Sequence, residues 1–164
     1  MSFVLSDAIR QRFDREVAKY PADQRQSAVM ACLTIVQQDQ GFVSGDAEKT
    51  VAEYLRMPPI AVHEVTTFYN MYNQQPVGRF KFNVCTNLPC QLRNGQQALE
   101  HLCSKLGIEA GGTTADGLFT VQQSECLGAC ADAPVMLVND RQMVSFMNNQ
   151  RLDELVDTLK AQAR

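Results

Sequence analysis

The chain has 164 residues, of which 45% are hydrophobic, and its formal net charge is -3 at pH 7. This composition predicts a globular protein with a buried core and excludes a basic surface of the kind that binds nucleic acid or anionic membranes. The N-terminus has no signal-peptide pattern, and no segment approaches the ~20 apolar residues that span a bilayer, so we expect a cytoplasmic protein. Six cysteines in that reducing compartment favour metal binding or burial over disulfides.

The first half of the sequence is predicted to be helical. Four segments with helical apolar spacing occur, at residues 7–20, 24–40, 46–55 and 59–72. Ser6 is a suitable N-cap for the first helix, and Pro21 stops it. Gly41 suits the left-handed end of the second helix, and Pro59 suits the first turn of the fourth. These segments predict an N-terminal helical bundle over residues 1–75.

The polar and glycine-containing stretch 73–78 is interpreted as a junction that leads into a second unit, 76–164. Alternating and helical periodicities predict a strand, a helix, three strands and a final helix in this unit, at residues 79–84, 92–106, 118–121, 134–138, 142–146 and 152–159. Asn139-Asp140-Arg141 between the last two strands suits a tight hairpin turn. The predicted fold class is therefore α/β.

Four cysteines follow the first two predicted strands. Cys85 and Cys90 come after the first strand, and Cys126 and Cys130 come after the second. Two strands joined by a crossover helix normally lie parallel, so their C-terminal ends share one edge of the sheet. The sequence thus predicts a single site built from all four thiols.

Thiolates are the ligands that iron–sulfur clusters and structural zinc require. Cys90 follows Pro89 at the start of a predicted helix, a position expected to lower the pKa of its thiol. Gly128 and Ala129 leave room for backbone N–H groups to approach sulfur. Neighbouring apolar side chains are expected to limit water access, namely Leu88, Leu127 and Met136.

Three kinds of site fit these cysteines. A [2Fe–2S] cluster with four thiolates would pass single electrons without a catalytic acid or base. Structural zinc also accepts four cysteines at these spacings. A thiol–disulfide oxidoreductase would place its nucleophile near Cys90, but the C-x-x-C arrangement is missing and the second pair would have no role.

The remaining reactive side chains are interpreted as structural. Cys32 and Cys103 lie on apolar helical faces and are excluded as ligands. His63 and His101 have no carboxylate or cysteine pattern around them, and no catalytic residue is predicted. Gly111-Gly112 does not form the G-x-G-x-x-G turn of a dinucleotide site. A redox site on this chain would therefore exchange electrons with a partner.

The residues 84–95 (VCTNLPCQLRNG) and 125–135 (ECLGACADAPV) resemble the two cluster loops of a known family. This family is the thioredoxin-like [2Fe–2S] subunit, also called the 24-kDa or E subunit, of NADH:quinone oxidoreductase, respiratory complex I. The stretches 66–72 (TTFYNMY) and 75–80 (QPVGRF) are also similar to it, so the resemblance extends from end to end. One departure falls in the hairpin, where Arg141-Gln142-Met143 replaces residues that are often tyrosines in the family.

The resemblance implies a thioredoxin-like [2Fe–2S] ferredoxin domain that follows a helical region, with one [2Fe–2S] cluster held by Cys85, Cys90, Cys126 and Cys130. It implies docking to a flavoprotein subunit that carries FMN and the NADH site, beside larger iron–sulfur subunits of the same complex. Such a complex would hold the chain on the cytoplasmic side of the bacterial inner membrane, without insertion into it. Related subunits of NAD-reducing hydrogenases and NAD-dependent formate dehydrogenases also resemble this chain, and the sequence leaves that choice open.

Overall fold

The computed structural model describes residues 3–163, and the chain divides into two compact units between Pro76 and Val77. Each unit has its own cluster of buried apolar side chains. Within residues 3–163 we find no helix with the length and apolar character that crossing a membrane requires.

Across the described residues of the N-terminal unit, 3–76, there are four α-helices, α1 (Asp7–Val17), α2 (Val29–Gln40), α3 (Gly45–Leu55) and α4 (Pro59–Phe68). The predicted cap is confirmed, because the Ser6 hydroxyl accepts a hydrogen bond from the Ile9 amide at 3.3 Å. Gly41 ends α2 with a left-handed φ of 80°, as the sequence predicted. The core of this unit includes the ring of Phe13, which packs edge-on against Tyr54 with 5.1 Å between centroids.

The second helix begins later than predicted. Residues Ala22–Ala28 form a 3₁₀ segment in which Gln24 has a non-helical φ of -114°, and the regular helix starts at Val29. Arg25 lies in this segment and donates a hydrogen bond to the Tyr54 carbonyl at 3.1 Å. Its guanidinium carbon also lies 5.4 Å from the centroid of the Tyr54 ring. These contacts with α3 stabilise a conformation that local helical spacing does not reveal.

The fourth helix ends earlier than predicted. Tyr69 is extended, with a φ of -94° and a ψ of 108°, so α4 stops at Phe68 and not at Tyr72. Tyr72 is nevertheless buried in the core, and its hydroxyl donates to the Met30 carbonyl at 2.9 Å. Tyr72 is therefore buried because the turn that contains it packs against the core, and not because α4 continues to this residue.

The C-terminal unit contains a four-stranded sheet, β1 (Phe80–Cys85), β2 (Phe119–Ser124), β3 (Met136–Val138) and β4 (Gln142–Val144), in the order β2-β1-β3-β4. Its helices are α5 (Leu88–Gln91), α6 (Gly95–Leu106) and α7 (Asn149–Gln162). β1 pairs with β2 in parallel, and the other two pairings are antiparallel. The predicted α/β class and the parallel crossover are confirmed.

Both long helices of this unit contribute to one core. Phe82 of β1 is fully buried beside Phe119 of β2, with ring centroids 5.4 Å apart, and Leu102 and Leu152 from α6 and α7 belong to the same cluster. The α7 helix is longer than the predicted 152–159 because the Asn148 side chain caps its first turn. The spacing of the apolar residues within 152–159 thus predicted the buried face of α7 but not its polar first and last turns.

The predicted hairpin turn is confirmed, and it is anchored to the central strand. Asn139 and Asp140 both have left-handed φ values, near 53° and 56°, which these two residue types tolerate well. The Lys81 ammonium lies 2.6 Å from the Asp140 carboxylate, and the Asn83 amide donates to the same carboxylate. Both strand residues are almost fully buried, so the turn is fixed through a buried polar cluster.

The predicted helix 92–106 begins later than expected, at Gly95, and a separate short helix precedes it. A short helix, α5, ends at Gln91, Asn94 adopts a left-handed φ of 68°, and α6 begins at Gly95. The chain therefore turns between the two helices directly after Cys90.

Candidate metal centre

The two cysteine loops leave adjacent parallel strands. β1 ends at Cys85, which lies opposite Ser124 in the register of β2. The Thr86 amide donates to the Ser124 carbonyl at 3.1 Å, and the Asn87 side-chain amide donates to Glu125 at 2.6 Å. Backbone and side-chain hydrogen bonds thus hold the start of one loop against the start of the other.

The four thiols occur as two pairs with opposite exposure. Cys85 and Cys90 are each only 1% exposed, and the interaction with the Cys85 thiol contributes, after burial, to the raised pKa of Cys90. Cys126 and Cys130 are exposed, with 3.4 Å between their sulfurs. Cys130 makes a minor electrostatic contribution to the raised pKa of Cys90, and Cys85 makes one to the raised pKa of Cys130.

A small apolar cluster surrounds the buried pair. It consists of Cys85, Cys90, Ala133 and Val135. Leu127 and Ala129, from the loop between the exposed cysteines, pack against it. Side chains from both loops therefore form one continuous packed region, which is the arrangement that the crossover argument predicted.

The pKa of Cys90 differs from the expectation. Burial raises the pKa of the Cys90 thiol above its usual value, and a hydrogen bond from the Val135 amide only partly offsets that increase. The predicted lowering by a helix N-terminus is wrong, because α5 is only four residues long and the thiol is desolvated. A bound cation would be needed to stabilise the thiolate here.

The exposed pair has the more acidic thiol. The Gly128 amide lies 3.4 Å from the Cys126 sulfur, and this hydrogen bond, together with one from Cys130, lowers the pKa of Cys126. The same thiol–thiol hydrogen bond, followed by burial, raises the pKa of Cys130. Gly128 reaches this position with a left-handed φ of 80°, in agreement with the prediction that glycine allows a backbone N–H to approach sulfur.

Apolar shielding of the site is only partly as predicted. Leu127 packs against the buried pair, whereas Met136 is fully buried in the main core of the unit. Leu88 is 63% exposed, so its predicted role in excluding water is wrong. It lies on the first turn of α5, whose buried face is formed by Cys90.

The donor set of the two loops fits a binuclear cluster. Four thiols are available as two pairs, Cys85 with Cys90 and Cys126 with Cys130. A [2Fe–2S] cluster divides four thiolates between two irons, and two such pairs match that division.

The side chains excluded as ligands lie elsewhere. Cys32 is fully buried in the N-terminal core, where burial raises its pKa to about 12, and burial also raises the pKa of Cys103. His63 contacts Glu48 at 3.0 Å, and His101 contacts Asp153 at 2.8 Å. Each of the two histidines joins two neighbouring helices within its own unit.

Sequence reasoning missed two residues that contact the buried pair. Val135 acts through its backbone: its carbonyl accepts from the Cys85 amide at 3.1 Å, and its amide donates to the Cys90 sulfur. Any residue type could make these bonds, so the sequence does not indicate this role. Gly95 lies against the carbonyls of both cysteines. A signal did exist for Gly95, since a glycine at the start of a helix has no conformational advantage and indicates close packing.

The comparisons with known proteins agree with this geometry. The family model described as thioredoxin-like [2Fe–2S] ferredoxin matches residues 13–160. The E 2 subunit of NADH-quinone oxidoreductase from Rhizobium meliloti (strain 1021) is 38% identical over 156 residues, which cover 95% of this chain and 91% of that relative. NADH-quinone oxidoreductase subunit 2 of Thermus thermophilus is 38% identical over 147 residues, with 90% of this chain and 81% of the relative covered.

A solved structure shares the fold. The crystal structure of an NAD⁺-reducing [NiFe]-hydrogenase in the air-oxidized state superposes with a TM-score of 0.68 and 23% identity, and the match covers 84% of this chain. It covers only 23% of the hydrogenase chain, so this likeness concerns one part of a much longer polypeptide.

Proposed function

Because this chain belongs to the thioredoxin-like [2Fe–2S] ferredoxin family, we propose that it is the one-electron relay subunit of an NADH:quinone oxidoreductase. The chain carries one [2Fe–2S] cluster and is a redox subunit of an oxidoreductase complex. The observation that carries the proposal is the meeting of two cysteine pairs at one edge of the parallel strands β1 and β2.

The proposed ligands are Cys85, Cys90, Cys126 and Cys130. When bound, the cluster accepts and releases single electrons at a potential set by its protein surroundings. The Gly128 and Val135 amides donate hydrogen bonds to ligand sulfurs and so stabilise their negative charge. The packed residues around the buried pair exclude water from two of the thiolates, while the exposed pair remains close to the protein surface.

The partners are part of the proposal. An adjacent flavoprotein subunit holds FMN and the NADH site, and larger iron–sulfur subunits receive the electrons within the same complex. This assignment is supported by relatives that are subunits of NADH-quinone oxidoreductases. The chain would thereby be peripheral, on the cytoplasmic side of the bacterial inner membrane.

The competing assignment is the equivalent subunit of an NAD-reducing hydrogenase, which the superposition with such an enzyme favours. Sequence similarity favours the first assignment, because the oxidoreductase relatives reach 38% identity and the hydrogenase only 23%. Affinity purification of the tagged chain from its native cells distinguishes the two. Recovery of a flavoprotein with a quinone-reducing membrane arm supports the proposal, and recovery of a NiFe hydrogenase overturns it.

Metal analysis of protein prepared without oxygen tests the site itself. We expect about two iron and two acid-labile sulfide per chain, with a paramagnetic resonance signal after reduction. About one zinc per chain and no sulfide would replace the relay with a structural zinc module.

Serine variants test the ligand assignment. Cys90→Ser and Cys126→Ser should lose or alter the cluster spectrum, because each removes a thiolate donor. Cys32→Ser and Cys103→Ser are the matched controls, since both thiols lie on helices away from the two loops. The assignment is wrong if the first two variants keep the wild-type spectrum.

A further inference from the structure

We infer that Gly95 is a positioning residue for the buried cysteine pair, because only a residue without a side chain lets α6 begin against the backbone of both Cys85 and Cys90. The inference rests on the proposed function, in which these two cysteines hold part of the cluster. It concerns the first residue of α6, which is itself buried.

The space at this position is closed by cysteine backbone. A Cβ atom on Gly95 would lie 2.8 Å from the Cys85 carbonyl oxygen and 2.9 Å from the Cys90 carbonyl oxygen. It would also lie 3.0 Å from the Cys90 carbonyl carbon. All three are main-chain atoms, so a side-chain rotation cannot relieve the overlap and the ligand backbone itself would have to move.

Hydrogen bonds also hold the backbone and thiol of the pair. The Cys85 amide donates to the Val135 carbonyl, and the Cys90 sulfur accepts from the Val135 amide. The Cys90 carbonyl also accepts from the Arg93 amide at 3.0 Å, within the turn that leads to α6. Cys85 and Cys90 thus contact both Gly95 and Val135, and a displacement of their backbone by a side chain at position 95 would strain these hydrogen bonds.

The chain offers a matched control at Gly78. A Cβ at Gly78 would lie 2.8 Å from the Phe119 carbonyl carbon and 2.9 Å from the Leu118 carbonyl carbon, so the overlap is equally severe and again involves main chain. Gly78 precedes β1, whereas Cys85 is the last residue of that strand. Gly78→Ala therefore perturbs the same sheet at the end away from the cysteines.

The test compares Gly95→Ala and Gly78→Ala in the full-length chain, with two measurements. In cluster-free protein, thiol alkylation followed by peptide mass spectrometry gives the reaction rate of each cysteine. In reconstituted protein, paramagnetic resonance gives the g values, and iron loss to a chelator gives the cluster lifetime. Overpacking at a ligand backbone should raise alkylation of Cys85 and Cys90 and the rate of iron loss by about tenfold in Gly95→Ala.

The expected result is specific to position. Gly95→Ala should shift the g values and expose the buried pair, while Gly78→Ala lowers the melting temperature and leaves both cysteine measurements at their wild-type values. Equal effects of the two substitutions, or no change in Gly95→Ala, overturn the inference. Complete loss of folding in Gly95→Ala alone also overturns it, because Gly95 would then stabilise the whole unit and not the ligand pair.

The two measurements separate this inference from the proposed function. The alkylation comparison uses cluster-free protein and stays informative whichever metal the wild-type chain binds. The iron and sulfide content of the wild-type chain tests the proposed function alone.

Discussion

Removing the charge of Asp140 should destabilise the C-terminal unit far more than removing the charge of its partner, Lys81. The Lys81 side chain is only 3% exposed, and its ammonium lies 2.6 Å from the Asp140 carboxylate, which is 27% exposed. In Asp140→Asn the buried lysine loses the Asp140 carboxylate, with which it forms an ion pair. Asparagine tolerates the left-handed φ of residue 140, so this variant changes charge without straining the turn.

The magnitude follows from burial. Removing one partner of a buried ion pair costs about 3–5 kcal/mol, and we expect about 3 kcal/mol for Asp140→Asn because water reaches part of that site. Lys81→Met should cost about 1 kcal/mol, since the remaining carboxylate is partly solvated and still accepts a hydrogen bond from Asn83. The double variant should cost only about 1.5 kcal/mol, well below the sum of the single variants, because neither charge remains buried.

Urea unfolding followed by circular dichroism gives the free energies for the wild type, both single variants and the double variant. Hydrogen exchange of the β1 amides, read by mass spectrometry, assigns the loss to the C-terminal unit. Equal costs for the two single substitutions, or strict additivity in the double variant, would refute the reasoning. Either result would mean that the stability of the buried Lys81 does not depend on the Asp140 carboxylate.

Three further predictions concern packing, thiol reactivity and acid stability. Phe82→Ala should lower the free energy of unfolding by about 3–5 kcal/mol, because the ring is fully buried in the main core; a loss below about 1 kcal/mol in urea unfolding would contradict this. In cluster-free protein Cys126 should be alkylated at a lower pH than Cys103, since the Gly128 N–H group lowers the pKa of Cys126 while burial raises the pKa of Cys103. Peptide mass spectrometry across pH 6–10 should show this order, and the reverse order would contradict the prediction. The hydrogen bond from His101, with one from Lys105, lowers the pKa of Asp153 in the folded state below its usual 3.8, so the stability that Asp153 contributes is present above about pH 4 and is lost as the pH falls through the lower folded value. Asp153→Asn should therefore reduce the drop in melting temperature over that acid range, and an unchanged drop would exclude a role of Asp153 in acid stability.

Local patterns were sufficient to predict most of the elements and the meeting of the two cysteine loops. Period-two and helical spacings identify the strands that end near Cys85 and Cys126, and the crossover rule then places those ends side by side. The same patterns overestimated α4 at Tyr72. In the sequence, a hydrophobic residue in a buried turn looks the same as one on the buried face of a helix. The hydrogen bond from Tyr72 to the Met30 carbonyl, which forms in the folded structure, belongs to the turn.

The chemistry of individual thiols was less predictable than their positions. The sequence places Cys90 near the start of a helix, but the pKa of its thiol depends on how completely the surrounding residues remove water. That burial comes from residues of the other loop that pack around the pair, including Ala133, Val135 and Leu127, and their contribution is not encoded in the C-x₄-C spacing. The exposed pair behaves differently, because Gly128 lies between its two cysteines and acts on the Cys126 sulfur two residues away. Electrostatic properties are therefore predictable from sequence where the perturbing group is local, as at Cys126, and require the folded structure where the perturbation comes from distant elements, as at Cys90.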